Sequence, residues 1–97
     1  MAIMMKMKWK GIKPEQYETL RKTVNWEGKH PKGALFHVSA FNDEGIHVID
    51  LWNTPGEFDD FAKNRLMPEV QKLGITSEPS IEILPVHATF NPGMAKQ

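Results

Sequence analysis

Two neighbouring segments of the chain carry side chains that could do chemistry together: His37 in one, and Asp50 and Trp52 in the next. A carboxylate beside an imidazole can orient the ring, so that the ring acts as an acid or a base or donates to a ligand carbonyl. The sequence therefore predicts His37 and Asp50 as candidate catalytic residues, with Trp52 as a candidate ligand contact. The alternative is a polar network with a structural role only, since such networks are often structural.

The segments that carry these residues are predicted to be strands of one hairpin. Ala34–Phe41 and Ile46–Asn53 alternate in side-chain character, which is typical of half-buried strands. The residues between them, 42–45, are turn formers. A hairpin connection is therefore expected here.

The length of the connection decides which side chains face each other across the hairpin. A two- or four-residue connection places His37 opposite Asp50 and Leu35 opposite Trp52. A three-residue loop would instead place Val38 opposite Asp50, an apolar-polar mismatch that ranks second.

Three more elements follow from periodicity and breaker residues. Ile3–Trp9 alternates as a strand, and Pro14–Asn25 has the spacing of an amphipathic helix with proline at its start. A last strand is predicted over Ile81–Phe90. Because Pro85 cannot donate to a strand ladder, this strand should lie at a sheet edge or carry a bulge.

The second helix has the clearest local start signal. Thr54 with Glu57 three residues later forms a capping box, which predicts that the helix begins directly after Thr54. Pro68 removes a backbone donor inside the helix, so a kink or break is expected near residues 66–68. Gly74 ends the helix.

The element order βαββαβ predicts an α+β, ferredoxin-like fold with an antiparallel sheet in the order 4-1-3-2 and both helices on one face. The other face then needs a partner, which predicts a homodimer. Sorting by apolar character assigns a polar set to this open face: Lys6, Lys8, His37, Ser39, Asp50 and Trp52. In the structural alternative, Lys6 or Lys8 neutralises Asp50.

Composition excludes several function classes. The 97 residues include 12 basic and 12 acidic side chains, so no general field attracts nucleic acid or a membrane surface. Cysteine is absent, which rules out thiolate chemistry, and no apolar run is long enough for a membrane span or signal peptide. We expect a cytoplasmic chain with one domain over residues 1–91 and a flexible tail over 92–97.

Histidine spacing gives no metal signal. None of the four histidines forms an i, i+4 pair, so neither a metal nor another cofactor is expected. His87, near the end of the last predicted strand, could line a cavity and is taken as a candidate ligand contact. Trp26, after the first helix, could close a pocket, although an aromatic side chain there is more often a packing contact.

The run from Asp50 to Phe61, DLWNTPGEFDDF, followed by RLMP from Arg65 to Pro68, resembles the small dimeric α+β barrel proteins, whose best-known members are the antibiotic-biosynthesis monooxygenases. The resemblance implies a homodimer. It also implies a cofactor-independent oxygenation of a small aromatic or quinone-like molecule. The alternative is a non-catalytic, ligand-binding or stress-related barrel. A cavity of about 300 Å³ or more would favour a ligand site.

The resemblance also suggests site residues. Quinone-forming members use asparagine, tryptophan and arginine, and Asn53, Trp52 and Arg65 are the matching types nearby, which makes them candidate ligand contacts. Haem-degrading members use tryptophan and histidine on the second helix, where this chain has Phe61 and Gln71. Haem degradation is therefore disfavoured.

Overall fold

The computed structural model describes residues 2–93, so residues 94–97 of the predicted tail lie outside the described part. Secondary structure follows the predicted order. The elements are β1 (Ile3–Lys10), α1 (Pro14–Val24), β2 (Ala34–Asn42), β3 (Gly45–Trp52), α2 (Pro55–Phe61), a π-helical turn (Ala62–Leu66), α3 (Met67–Lys72) and β4 (Ser80–Pro85). No helix in residues 2–93 is both long and apolar enough to cross a membrane.

The four strands form one antiparallel sheet in the order β2-β3-β1-β4. This is the predicted order read from the other edge, and the ferredoxin-like α+β fold is confirmed. The core lies between one face of the sheet and the helices, where Met5 and Trp52 of the central strands pack with Leu20, Phe58 and Val70 of the three helices. This layer also contains the candidate site.

The predicted assignment of side chains to the two sheet faces is correct for β1 but wrong for β2 and β3. Directly opposed residues in an antiparallel pair share a face. β1 and β3 pair Met5 with Asp50 and Lys6 with Ile49, so Asp50 lies on the helix-covered face and Lys6 on the open face. The structure thus separates the predicted polar set: Lys6 and Lys8 lie on the open face, whereas His37, Ser39, Asp50 and Trp52 lie on the helix-covered face. Lys6 lies 3.6 Å from Glu82 and does not neutralise Asp50.

The hairpin has the predicted register over most of its length. Asn42 pairs with Gly45 across a two-residue loop, and His37 lies opposite Asp50. A bulge at Leu35 then changes the register, so that Ala34, and not Leu35, lies opposite Trp52. The prediction for Leu35 is therefore wrong, because a bulge adds one residue to one strand of a pair.

The second helix begins where its capping signal predicts and departs from α geometry one turn before the expected break. The π-helical turn ends just before Met67, whose N–H donates to the carbonyl of Ala62. Pro68 follows at once and has no N–H to continue an α ladder. The irregular turn before it accommodates this loss, and α3 then runs to Lys72, with Gly74 in the left-handed region beyond its end.

The last strand is shorter than predicted. β4 ends at Pro85 instead of Phe90, at the edge of the sheet where proline is tolerated. His87 therefore lies beyond the strand and is exposed.

Replacing Thr54 by alanine is expected to destabilise the protein by about 1 kcal/mol, because its hydroxyl oxygen accepts the N–H of Glu57, 3.2 Å away, at the start of α2. Thermal or denaturant unfolding measures the loss. Thr54→Ser keeps the acceptor and is the matched control, with stability close to that of the parent. Equal stability of the alanine and serine variants would mean that the cap does not stabilise the helix.

Candidate functional site

A cavity of about 380 Å³ lies between the helix-covered face of the sheet and the helices. Its volume is within the range of small-molecule sites. Apolar and aromatic side chains form most of its wall, among them Met5, Met7, Trp9, Trp26, Ile46, Val48, Trp52, Phe58, Phe61 and Leu66. The polar residues of the wall are Tyr17, Glu27, His30, His37 and Asp50.

His37 and Asp50 form the predicted pair inside this cavity. Nδ1 of His37 lies 2.7 Å from Oδ1 of Asp50, and the indole N–H of Trp52 donates to Oδ2 at 3.1 Å. Asp50 is only 7% exposed, and each of its two carboxylate oxygens has a hydrogen-bond donor within the protein. Buried polar groups usually have such partners. The carboxylate therefore fixes the imidazole and, through Trp52, is itself fixed on the strand.

Tyr17 extends this pair into a chain of four side chains. Its hydroxyl lies 2.9 Å from Nε2 of His37, and the two rings are nearly parallel with centroids 6.2 Å apart. Because Nδ1 donates to Asp50, Nε2 of the neutral ring accepts the phenolic proton. With a proton on both ring nitrogens, His37 would donate to the phenolic oxygen and leave the phenol free to donate to a ligand.

Sequence reasoning gave Tyr17 no role in the site, although the residue falls within the amphipathic helix predicted over Pro14–Asn25. The strand that its side chain meets is set by tertiary packing. The one signal available is that Tyr17 is the single tyrosine of the chain.

Burial raises the pKa of Tyr17 above its ordinary value. The folded protein therefore holds the phenolic proton more tightly than the unfolded chain does. The stabilisation that results from this difference is fully present below about pH 10, the ordinary pKa of tyrosine. It is lost as the pH rises through the pKa of Tyr17 in the folded protein. Since the chain has one tyrosine, the ultraviolet absorbance of tyrosinate reports this group alone. We expect a midpoint above that of the guanidinium-unfolded chain; equal midpoints would contradict the burial of the phenol.

Trp26 forms part of the cavity wall and also packs against the hydrophobic core. Its ring lies 5.3 Å from that of His37 and 5.7 Å from that of Tyr17, measured between centroids. The segment that carries it, residues 25–33, connects α1 to β2 and also contributes Glu27 and His30 to the wall.

Arg65 holds this segment in place. Its Nη2 donates to the carbonyl oxygens of Val24 at 2.9 Å and Lys29 at 2.8 Å, and its guanidinium lies 5.4 Å from the centre of the Phe61 ring. These bonds are directed to the backbone at the end of α1 and in the segment that carries Trp26. Arg65 does not line this cavity, and its suggested role as a ligand contact stays a prediction.

Of the other three suggested ligand contacts, one lines the cavity and two do not. Trp52 lies in the wall. Asn53 and His87 are exposed and do not contribute to it. Asn53 contacts the same connecting segment through its backbone, where its N–H donates to the carbonyl of Gly33 at 2.9 Å. Within residues 2–93, no group of three or more histidine and acidic side chains is arranged to hold a metal ion.

Comparison with known proteins identifies the fold. No protein-family model matches the sequence, and no curated protein matches it. The chain is similar in structure to a conserved protein from Methanosarcina mazei, with a TM-score of 0.63 and 20% identity over 87% of this chain and 91% of the other. It is also similar to SnoaB, a cofactor-independent oxygenase from Streptomyces nogalater, with a TM-score of 0.59 and 14% identity over 91% and 93%.

A third solved structure with this fold is an antibiotic biosynthesis monooxygenase-like protein from Caulobacter crescentus. Its TM-score is 0.61 and its identity 15%, over 90% of this chain and 89% of that one. These likenesses define the chain as a ferredoxin-like α+β protein. In particular, it has the fold of the antibiotic biosynthesis monooxygenase-like proteins.

Proposed function

We propose that the protein is a cofactor-independent monooxygenase that acts on a small aromatic molecule which can form a carbanion. The observation that carries this proposal is the chain from Trp52 through Asp50 and His37 to Tyr17 on the wall of a ligand-sized cavity. A filled cavity would have favoured a structural pair, whereas about 380 Å³ of space beside the pair leaves room for a substrate.

The hydrogen-bonded side chains of Trp52, Asp50, His37 and Tyr17 supply a base in a site with mostly apolar walls. His37, oriented by Asp50, takes a proton from the substrate, either directly or through the hydroxyl of Tyr17. The apolar wall keeps water away from the carbanion. The charged imidazole then donates through Tyr17 to the oxygen atom on which negative charge develops.

The overall reaction is balanced with dioxygen as the oxidant. A methylene carbon of the substrate loses its two hydrogens and becomes a carbonyl carbon. One atom of dioxygen forms that carbonyl group, and the other leaves as water with the two hydrogens. The carbanion supplies the electrons, so no bound metal or flavin is required in this scheme.

Anthrone tests the proposal, since it is a small aromatic ketone with an acidic methylene group. Protein treated with a chelator is expected to speed oxygen consumption and the formation of anthraquinone above the rate in buffer. Labelled dioxygen should place one labelled atom in the new carbonyl group. Binding of anthrone without any increase in rate would instead support the non-catalytic, ligand-binding alternative.

We also propose that two copies pair through the open faces of their sheets. Three apolar side chains lie exposed on this open face: Val38 (45% exposed), Ile49 (39%) and Leu84 (38%). A sheet face with such apolar content is typical of an interaction surface. Sedimentation is expected to give twice the chain mass of 11.1 kDa. Ile49→Glu should shift the protein toward monomer, and a parent chain that stays monomeric at micromolar concentration would contradict the pairing.

A further inference from the structure

Both ring nitrogens of His37 already have partners within the protein. Nδ1 lies 2.7 Å from Oδ1 of Asp50, and Nε2 lies 2.9 Å from the hydroxyl of Tyr17. A neutral imidazole has one N–H and one lone pair, and these two contacts use both of them. A substrate can therefore reach the lone pair of His37 only by displacing the phenol.

The phenol is held in place by its ring as well as by its hydroxyl. The ring of Tyr17 lies nearly parallel to that of His37, at an interplanar angle of 7°, and meets the ring of Phe41 edge to face with centroids 5.9 Å apart. The ring of Trp26 lies 5.7 Å away. Aromatic contacts of this kind add to the stability of a packed side chain. Displacement of the phenol would break them, which favours a substrate that binds with the phenol in place.

The hydroxyl of Tyr17 can still accept a hydrogen from a ligand. Tyr17 and His37 both line the cavity. Donation to Nε2 uses the phenolic proton and leaves the two lone pairs of the oxygen. Burial raises the pKa of Tyr17, and the neighbouring hydroxyl of Ser39 opposes this effect. Ser39 uses at most one of the two lone pairs, so the other is available to a ligand, and the raised pKa keeps the group a neutral phenol.

From this arrangement we infer that Tyr17 is the catalytic residue that contacts the substrate, and that His37 receives the proton behind it. The inference rests on the proposed function and deepens it, because it restricts the substrate to an aromatic molecule that presents an acidic hydrogen to the phenolic oxygen. In this step a C–H bond of the substrate breaks and its proton binds to the phenolic oxygen, while the former O–H proton of Tyr17 moves to Nε2 of His37. The electron pair stays on the substrate carbon, Tyr17 ends neutral, and an imidazolium forms beside Asp50.

Two probes that differ in one hydrogen-bond donor test the contact: 2-naphthol and 2-methoxynaphthalene. At about pH 8 an ordinary imidazole is neutral and 2-naphthol is uncharged. Calorimetric titration of the full chain is expected to show about fivefold tighter binding of the naphthol, the usual net effect of one hydrogen bond. Tyr17→Phe keeps the ring and should abolish this preference. Thr19→Val is the matched control: it removes an exposed hydroxyl from the same helix, outside the cavity wall, and should keep the preference within about twofold.

Direct contact between His37 and the substrate predicts a different result. Tyr17→Phe would then free Nε2 to accept the naphthol proton, and the preference would persist or increase. That outcome would overturn the inference while leaving an aromatic site intact. Turnover of anthrone is a second readout: Tyr17→Phe should lower it about 10²–10⁴-fold, as for a positioned acid or base, whereas an unchanged or faster turnover would also overturn the inference.

Failure of the proposed function gives a distinct result. A parent protein that prefers naphthol through Tyr17 but does not oxidise anthrone would contradict the oxygenase proposal and support the contact made by Tyr17. Binding of neither probe would count against both the contact and the aromatic site. Unfolding curves of the two variants check that each is folded.

Discussion

Replacing His37 by glutamine is expected to lower the turnover of anthrone about 10²–10⁴-fold, the usual contribution of a positioned general base. Glutamine is close in size and can still hydrogen-bond, but it cannot take up a proton at neutral pH. The side chain of His37 is 32% exposed, so the loss of one ring should leave the fold largely intact. Stopped-flow oxygen consumption measures the rate, and an unfolding curve checks the structure.

His87→Gln is the control for this variant. It makes the same chemical change at an exposed residue outside the cavity wall, and turnover should change by less than about twofold, as is usual for surface substitutions. A His37 variant that keeps the parental rate would remove the histidine from the mechanism. The Tyr17–His37–Asp50 chain would then be a structural network that borders a cavity.

Replacing Gly45 by alanine is expected to destabilise the fold by about 2–4 kcal/mol. Its φ of +152° is in a region that residues with a Cβ rarely adopt, and a Cβ there would lie 2.2 Å from the carbonyl oxygen of Trp9. The atom that it meets belongs to the backbone of a central strand and cannot turn away. Denaturant unfolding followed by tryptophan fluorescence measures the loss.

Gly56→Ala is the matched control for the same substitution. Gly56 lies in the first turn of α2, and an added Cβ would have no atom within 4 Å apart from the adjoining residues and the backbone of its own helix. Alanine favours a helix over glycine, so this variant should be as stable as the parent or more stable by up to about 1 kcal/mol. Equal stability of the two alanine variants would show that the hairpin moves to accept a side chain at Gly45.

The His37 variant tests the chemistry of the site, and the Gly45 variant tests the strand pairing that positions it. Gly45 allows β3 to start close against the end of β1, where it pairs with Lys10. The same pairing carries Asp50 to the helix-covered face, opposite Met5. The register between β1 and β3 therefore decides whether the His37–Asp50 pair lies in the cavity or among the lysines of the open face.

Local signals in the sequence determined the order of the elements, the start of the second helix at Thr54 and the hairpin register that pairs His37 with Asp50. Each depends on residues close together in the chain: a capping box, an alternating pattern or a two-residue turn. Interactions of this kind are formed within a few residues, and tertiary packing here left them unchanged.

The tertiary structure alone decided which face of the sheet the pair occupies. β1 and β3 are neighbours in space but are separated in sequence by α1 and β2, so no turn sets their register. Apolar sorting of β2 and β3 favoured the wrong face, because apolar side chains lie on both faces: Val38 and Ile49 on the open face, and Val48 and Trp52 on the helix-covered face. The approach of Tyr17 to His37 and the bulge at Leu35 depend on the same packing. So does the binding of Arg65 to backbone carbonyls 36 to 41 residues away, since a long-range contact has no signature in the local sequence.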